Sequence, residues 1–424
     1  MLRQFLFKQK GASSKGDFQK AKNTTIKLSE QRIIEIKEYE EKYFLKDEIP
    51  ELVGIDLYKK YKNQLEVDFP NYRTGNQWKL KAKGWVGYIP VNSHICLKLN
   101  PKIPIKNIFG MLEYAYTIKS FKFLEGIINC DSVKDFYSQL AYLLCQKLLE
   151  RCRRGLYKNY LHKSEQLTYS RGRLDIEETI KNPWNVKFRC HYQEQTTDIV
   201  ENRILLWTVY IIGRSGLCSE KVSSTVRRAF HALQGFVTLQ ICSSKDCIGI
   251  NYNSLNQDYE LLHNLSRLFL DNSVPTHEKG EHISLPFLVD MARLYELFIA
   301  EWLKVNLPKN LMLKYQERID IVKSLYFKTD LVVYESLTSI PRFIIDTKYK
   351  NTASVSSDDV AQVIAYAVSK NCKEAILLYP TLLKQPLNQY VGDIRIRSLT
   401  FSLNDDFEYA GNTFLNELFS EHIE

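Results

Sequence analysis

The most constraining stretch of this chain begins after residues 272–286 (NSVPTHEKGEHISLP), where two prolines and a glycine interrupt a helical pattern. Beyond them the hydrophobic period changes in a definite order. It is helical over 287–305, strand-like over 311–317, 328–335 and 342–348, helical over 358–370, and strand-like again over 374–380. The expectation is an αβββαβ block covering 284–424.

Polar residues within that block give it chemistry. Asp330 heads the apolar run DLVVY, and Asp346 ends FIID two residues before Lys348. Because strand side chains alternate between faces, Asp346 and Lys348 point the same way, and a hairpin through 335–341 brings Asp330 beside them. Two carboxylates and one amine then converge, which suits a hard divalent cation such as Mg²⁺, bound by oxygen at about 2.0–2.1 Å. Acid-x-Lys triplets also occur at Glu35–Lys37 and Glu40–Lys42, but only Asp346-x-Lys348 follows a continuous apolar run. The plain alternative is a surface salt bridge, worth little. Gln362 and Tyr366 lie four residues apart on the following helix, opposite the apolar Val360, Val363 and Ile364. Glu296 sits on the helix that opens the block, among Met291, Leu294, Phe298 and Trp302; a third metal ligand and a solvated glutamate fit it equally.

Asp330, Asp346-x-Lys348 and Gln362-xxx-Tyr366, in this order, resemble the PD-(D/E)xK nuclease core in its RecB-like branch, with Thr329 standing where that family has proline. Longer stretches are similar to the McrC family, the nuclease subunit of McrBC-type restriction systems. They are GWVGYIPVNSHICLKLNPKIPIKNIFGMLEYAY (84–116), SRGRLDI (170–176), VENRIL (200–205), MARLYELFIAEWL (291–303), IIDTKYK (344–350), DVAQVIAYA (359–367) and LLYP (377–380). The resemblance implies an N-terminal domain docking into an McrB-like hexamer of AAA+ GTPase subunits and a C-terminal endonuclease acting on double-stranded DNA. On that reading Asp330 and Asp346, with Glu296 as a possible third ligand, hold Mg²⁺; Lys348 positions the attacking water, and Gln362 and Tyr366 steady the substrate. No G-x-x-x-x-G-K-[ST] phosphate loop occurs, so nucleotide hydrolysis falls to another polypeptide. Two alternatives stay open: a non-catalytic adaptor that activates a AAA+ ring, and a self-sufficient RecB-like nuclease.

The rest of the chain divides by composition and period. Residues 1–25 carry Arg3, Lys8, Lys10, Lys15, Lys20 and Lys22 among Gly, Ser and Thr and read as a mobile basic arm. A charged helix is expected over 28–45, stopped by Pro50. Trp78, Leu80 and Ala82 alternate with lysines, as do Ile95, Leu97 and Leu99 with Cys96, Lys98 and Asn100, giving a small β-rich domain (26–110) with a lysine-bearing outer side, the part assigned to docking. A mostly helical domain follows (111–283), with apolar faces at Phe136, Leu140, Leu143, Leu144, Leu148 and at Leu255, Tyr259, Leu262, Leu265, Phe269. The fold class expected is therefore multidomain α+β.

With 424 residues, 45% of them hydrophobic, the chain can bury one large core or several smaller ones. Lys and Arg exceed Asp and Glu by 58 − 49 = 9, which favours a polyanionic partner. The longest apolar run, 204–213, is well short of the ~20 residues a bilayer needs and no leader pattern opens the chain, so a cytoplasmic protein without membrane contact is expected. Nine scattered cysteines without a Cys-x-x-Cys pair read as reduced thiols, Cys242 and Cys247 among them. His277 and His282 lack the spacing and helix of a zinc site. Arg151, Arg153 and Arg154 suit a helix C-terminus, while Arg171 and Arg173 fit either DNA phosphates or pairing with Asp175 or Glu177.

Overall fold

The computed structural model describes residues 32–92, 95–118, 132–181, 184–273, 285–322, 325–350 and 352–420. The basic segment 1–25 and the pair His277 and His282 lie outside them. The first elements are β1 (Arg32–Lys37), β2 (Glu41–Phe44), α1 (Glu51–Lys60), β3 (Leu65–Asp68), β4 (Trp78–Ala82), β5 (Trp85–Pro90) and β6 (Ile95–Asn100). The helix expected over 28–45 is thus two strands. Ile34 and Ile36 are buried against β6, which β1 joins in parallel, so sheet pairing overrides the helical preference of the charged residues. Pro50 does not end a helix but precedes one, at the position where its missing N–H costs nothing. The strands at Trp78–Ala82 and Ile95–Asn100 form as expected, yet their lysines are not bare. Lys79 and Lys81 pair with Glu41, and Lys98 pairs with Glu35.

The middle of the chain contributes α2 (Ile105–Ala115), α3 (Val133–Arg154), β7 (Asn159–Leu167), β8 (Arg173–Leu174), α4 (Ile176–Lys181), β9 (Phe188–Thr196), α5 (Val200–Arg214), α6 (Glu220–Gln234) and α7 (Tyr259–Asn272). Phe136, Leu140, Leu144 and Leu148 are buried on one face of α3, and Tyr259, Leu262, Leu265 and Phe269 on α7; Leu255 lies before that helix and is exposed. Helical periodicity had no place for β7, β8 and β9. These make a three-stranded antiparallel arm in which nine residues of β7 pair with nine of β9, roughly 30 Å at the usual rise per residue. Very little of the arm is covered: no residue of β7, β8 or α4 is buried.

The C-terminal elements are β10 (Phe287–Asp290), α8 (Met291–Asn306), β11 (Leu311–Tyr315), β12 (Arg318–Val322), β13 (Leu325–Lys328), β14 (Leu331–Glu335), β15 (Pro341–Thr347), α9 (Ser357–Lys370), β16 (Glu374–Tyr379), β17 (Asn388–Val391), β18 (Ile394–Thr400) and α10 (Phe407–Phe419). The αβββαβ order is present, extended by the β12–β13 hairpin and by β17, β18 and α10. A six-stranded mixed sheet runs β11-β14-β15-β16-β18-β17. Leu331, Val333, Phe343, Ile345, Ile376 and Leu378 enter one core, while Val332, Tyr334, Ile344, Ala375, Leu377 and Tyr379 enter another on the opposite face. Both faces are covered, which is why these strands read as unbroken apolar runs.

The start of the C-terminal block is not a helix. Phe287–Asp290 adds a strand to the N-terminal sheet β1-β6-β5-β10 before Asp290 caps α8. The largest core draws on residues from Val86 to Leu418, so the middle helices and the C-terminal sheet share one apolar interior. Gly87 permits the β5–β10 contact: its φ is +143°, and a Cβ there would meet the Phe287 carbonyl oxygen at 2.0 Å. Gly75 also has positive φ, but open space around it. Urea unfolding is therefore expected to show Gly87→Ala destabilising the chain well beyond the ~1–2 kcal/mol that a left-handed backbone alone costs at Gly75→Ala. Equal losses at the two positions would remove the close-approach argument.

Candidate active site

Strand pairing builds the site. Leu331 is paired with Ile345 and Val332 with Ile344, so the same register puts Asp330 level with Asp346. An Asp330 carboxylate oxygen accepts hydrogen bonds from the backbone N–H and the hydroxyl of Thr347, at 2.8 and 2.9 Å. Asp346 lies at the end of β15, 2% exposed, and its Oδ2 meets Lys348 Nζ at 2.5 Å. The contact is an ion pair between two largely buried groups, with no other hydrogen-bond donor on Oδ2. Lys348 Nζ donates to Gln362 Oε1 at 2.8 Å, and Gln362 Nε2 donates to the Tyr366 hydroxyl at 2.8 Å. Four of the residues singled out in the sequence, Asp346, Lys348, Gln362 and Tyr366, form one continuous chain of contacts, with Asp330 alongside. With a side chain only 12% exposed, Lys348 is no partner in a surface salt bridge.

Tyr366 departs from the face assigned to it. It does not stand opposite the apolar residues of α9 but is buried among them with Val363 and Ala367, its ring against Phe327 at 5.5 Å. Only its hydroxyl end reaches the polar cluster. Glu296 is half-buried on α8 and accepts a hydrogen bond from Gln316 Nε2 at 3.0 Å, so it is not a simple solvated glutamate. Thr329 explains its own departure from proline: its backbone N–H and its hydroxyl both donate to the Glu317 carbonyl, at 3.0 and 3.2 Å. Proline offers neither bond.

The site is strongly anionic. Burial, reinforced by the Asp330 charge, pushes the Asp346 carboxyl up to about 7. Burial and then Asp330 also raise Glu296. For Lys348, burial favours the neutral amine, but Asp346, Asp359 and Asp330 outweigh it and hold the group above the ordinary lysine range. The lysine is therefore an ammonium, suited to orienting and neutralising rather than to accepting a proton. Asp359, absent from the sequence-based candidates, stands 3.6 Å from Lys348 and accepts from Lys350 at 2.9 and 3.0 Å. Its signal was available: Ser356 accepts from the Asp359 N–H, a helix-capping arrangement that aims this first-turn carboxylate at the strand end. Thr347 and Gln316, which orient Asp330 and Glu296, carried no comparable mark.

Among the described residues no three His, Cys, Asp or Glu side chains form a preassembled metal-ligand group. Other candidates settle into structural roles. Arg151 and Arg154 bond Asp258, and Arg171 bonds Glu194 rather than Asp175 or Glu177 while lying over the Tyr192 ring. The eight described cysteines are free thiols, Cys247 buried and Cys242 partly so. No described helix is long and apolar enough to cross a membrane.

Comparison with known proteins defines first the class. Residues 80–380, well over half the chain, match the family model described as "McrBC 5-methylcytosine restriction system component". The chain is 24% identical over 216 residues to the type IV methyl-directed restriction enzyme EcoKMcrBC of Escherichia coli (strain K12), across 49% of this chain and 60% of that protein, so it spans under two thirds of the relative's length. Its fold is similar to a chain of the half-complex refined from the tetradecameric assembly of Thermococcus gammatolerans McrB AAA+ hexamers with bound McrC, with a TM-score of 0.54 and 20% identity over 92% of this chain and 100% of the other. This is a restriction-system component. It belongs to the McrBC 5-methylcytosine restriction system component family.

The raised Asp346 fixes a pH dependence. A carboxyl whose folded value lies above its unfolded value stabilises the fold at low pH and loses that contribution as pH rises through the folded value. In thermal melts in EDTA, the stability of the parent relative to Asp346→Asn is expected to fall from about pH 4 to pH 7 and level above it. A difference that does not change across that range would remove the assignment.

Proposed function

We propose that this chain is the DNA-cleaving subunit of a GTP-dependent McrBC-type restriction complex, hydrolysing phosphodiester bonds of double-stranded DNA with Mg²⁺ and stimulating a AAA+ GTPase ring. The C-terminal block would be a PD-(D/E)xK endonuclease domain. The observation that carries this reading is the convergence of Asp330, Asp346 and Lys348 at one strand end, with Gln362 and Tyr366 linked to the lysine.

The residues fit a magnesium ion. The donors are hard carboxylate oxygens, and the Asp330 charge beside the buried Asp346 carboxyl is a repulsion that a further cation would relieve. Asp330 and Asp346 would hold the ion, and Glu296 would join by leaving Gln316. Bound there, Mg²⁺ supplies Lewis-acid stabilisation of charge developing on the phosphate oxygens. Lys348 orients the attacking water and offsets negative charge, while the Gln362 amide and Tyr366 hydroxyl hold Lys348 and present donors to the substrate. A non-catalytic adaptor explains less. Burying the Asp346 carboxylate beside the Asp330 charge is costly, and an apolar strand end would serve a scaffold better.

Docking is better assigned to the β7–β9 arm than to the N-terminal strands. The lysines of β4 and β6 are already ion-paired, whereas the arm is largely uncovered and exposes Ile176, Ile180, Trp184 and Val186, with Trp184 80% exposed. A cluster of apolar groups left this exposed is characteristic of a surface that a partner covers. The full-length McrB-like partner, in the presence of GTP, is the occupant proposed.

Plasmid cleavage by the assembled complex in Mg²⁺ tests the site: Asp346→Ala and Lys348→Ala are each expected to lose at least about a hundredfold in rate, with assembly and GTP turnover retained. Full cutting by either variant sinks the assignment. Ile180→Asp with Trp184→Asp is expected to do the reverse, weakening stimulation of GTP hydrolysis while leaving the melting temperature near that of the parent. Undiminished stimulation would return docking to another surface.

A further inference from the structure

Tyr349 follows Lys348 directly, just past the end of β15, and is buried in the large core. Its ring lies 6.0 Å from that of Tyr295 on α8. Its hydroxyl donates to Glu38 Oε2 at 3.2 Å, and Glu38 follows β1, 311 positions earlier in sequence. Lys102, just past β6, places Nζ 4.2 Å from the centre of the Tyr349 ring and 4.7 Å from that of Tyr39. The Tyr39 hydroxyl donates to the Tyr349 carbonyl at 3.5 Å, and the Lys102 N–H donates to Glu38 Oε2 at 3.3 Å. Tyr349 is thus gripped at its ring, its hydroxyl and its backbone by the N-terminal strands.

Stability does not call for such a clamp. Glu38 is 5% exposed, its Oε1 has no hydrogen-bond donor, and the buried Lys102 Nζ has no acceptor. A buried pair with unmet bonds costs more than an apolar contact of the same size. What the arrangement achieves is position. The Lys348 N–H is tied to the Leu378 carbonyl and the Lys350 N–H turns back to the Lys348 carbonyl, both at 2.8 Å, so Lys348 has little backbone freedom once Tyr349 is held. The N-terminal sheet reaches the site at a second point too: β10 pairs with β5, and the next residues start the helix that carries Glu296.

We infer that Glu38 and Lys102 are positioning residues for the candidate active site, acting through Tyr349 to set where the Lys348 ammonium stands and so coupling the site to the N-terminal sheet. This rests on the nuclease reading. It places the metal-side helix and the lysine strand under the control of one sheet, so a displacement of that sheet changes the site geometry.

The test is Mg²⁺-dependent plasmid cleavage by the full-length chain assembled with its GTPase ring. Tyr349→Phe, which removes one oxygen and keeps the ring, and Lys102→Met are each expected to lower kcat roughly tenfold or more, since misplacement by about 1 Å can cost a hundredfold. KM for DNA is expected to stay within about twofold, the pattern of an interaction realised in the transition state. Lys102→Arg, which keeps a cation over the two rings, is expected to restore most of the rate. Unchanged kcat in Tyr349→Phe, measured well below its melting temperature, overturns the inference, as does a rise in KM with kcat intact. If Lys102→Met does not fold, Tyr349→Phe decides alone. A Lys348→Ala chain that still cuts at full rate defeats the nuclease reading itself; an inactive Lys348→Ala beside a fully active Tyr349→Phe defeats only the coupling.

Discussion

The pairing of β14 with β15, in the register that joins Leu331 to Ile345, is the constraint on which the rest of the structure turns. Both strands are buried on both faces, so a slip of one residue would exchange the side chains of two separate cores and carry Asp346 to the wrong side of the sheet. The apolar residues therefore hold the polar ones in place. Asp330, just before β14, and Asp346, near the end of β15, meet because this register buries the hydrophobic side chains of both strands.

The polar groups brought together this way are poorly matched to one another. Asp346 is buried with the Asp330 charge beside it, and the nearest cation, Lys348, is shared among Asp346, Asp359 and Gln362. Such a cluster lowers the stability of the chain as pH rises towards the Asp346 value. The hairpin root at Thr329 and Glu317 and the helix cap at Ser356 compensate in part by holding the flanking backbone rigid.

The candidate site was largely legible in the sequence because its signals are local. Asp346 and Lys348 share a strand, Gln362 and Tyr366 share a helix face, and periodicity alone reports both relations. Asp330 required one hairpin, which the lengths of the apolar runs supplied. Other elements were misread where short-range preference and long-range pairing disagreed. The stretch around Arg32–Lys37 looks helical by charge, but Ile34 and Ile36 find a strand partner sixty residues away in β6. The β7–β9 arm has no buried face of its own along β7, so no hydrophobic period marks that strand. The β12–β13 hairpin and the strands beyond β16 were likewise invisible as separate elements.

By itself the sequence determined the order of the C-terminal elements, the identity of the acid and lysine groups, and the resemblance that placed the chain among restriction-system components. Those follow from residue type and spacing within a few turns or one hairpin. Only the tertiary structure decided that Phe287–Asp290 belongs to the N-terminal sheet, that Asp359 joins Lys348, and that Glu38 and Lys102 grip Tyr349. These contacts join residues from 11 to 311 positions apart. A lone buried glutamate or lysine has no period or motif to announce it, and its partner is chosen by which cores fold against each other rather than by anything in its own neighbourhood.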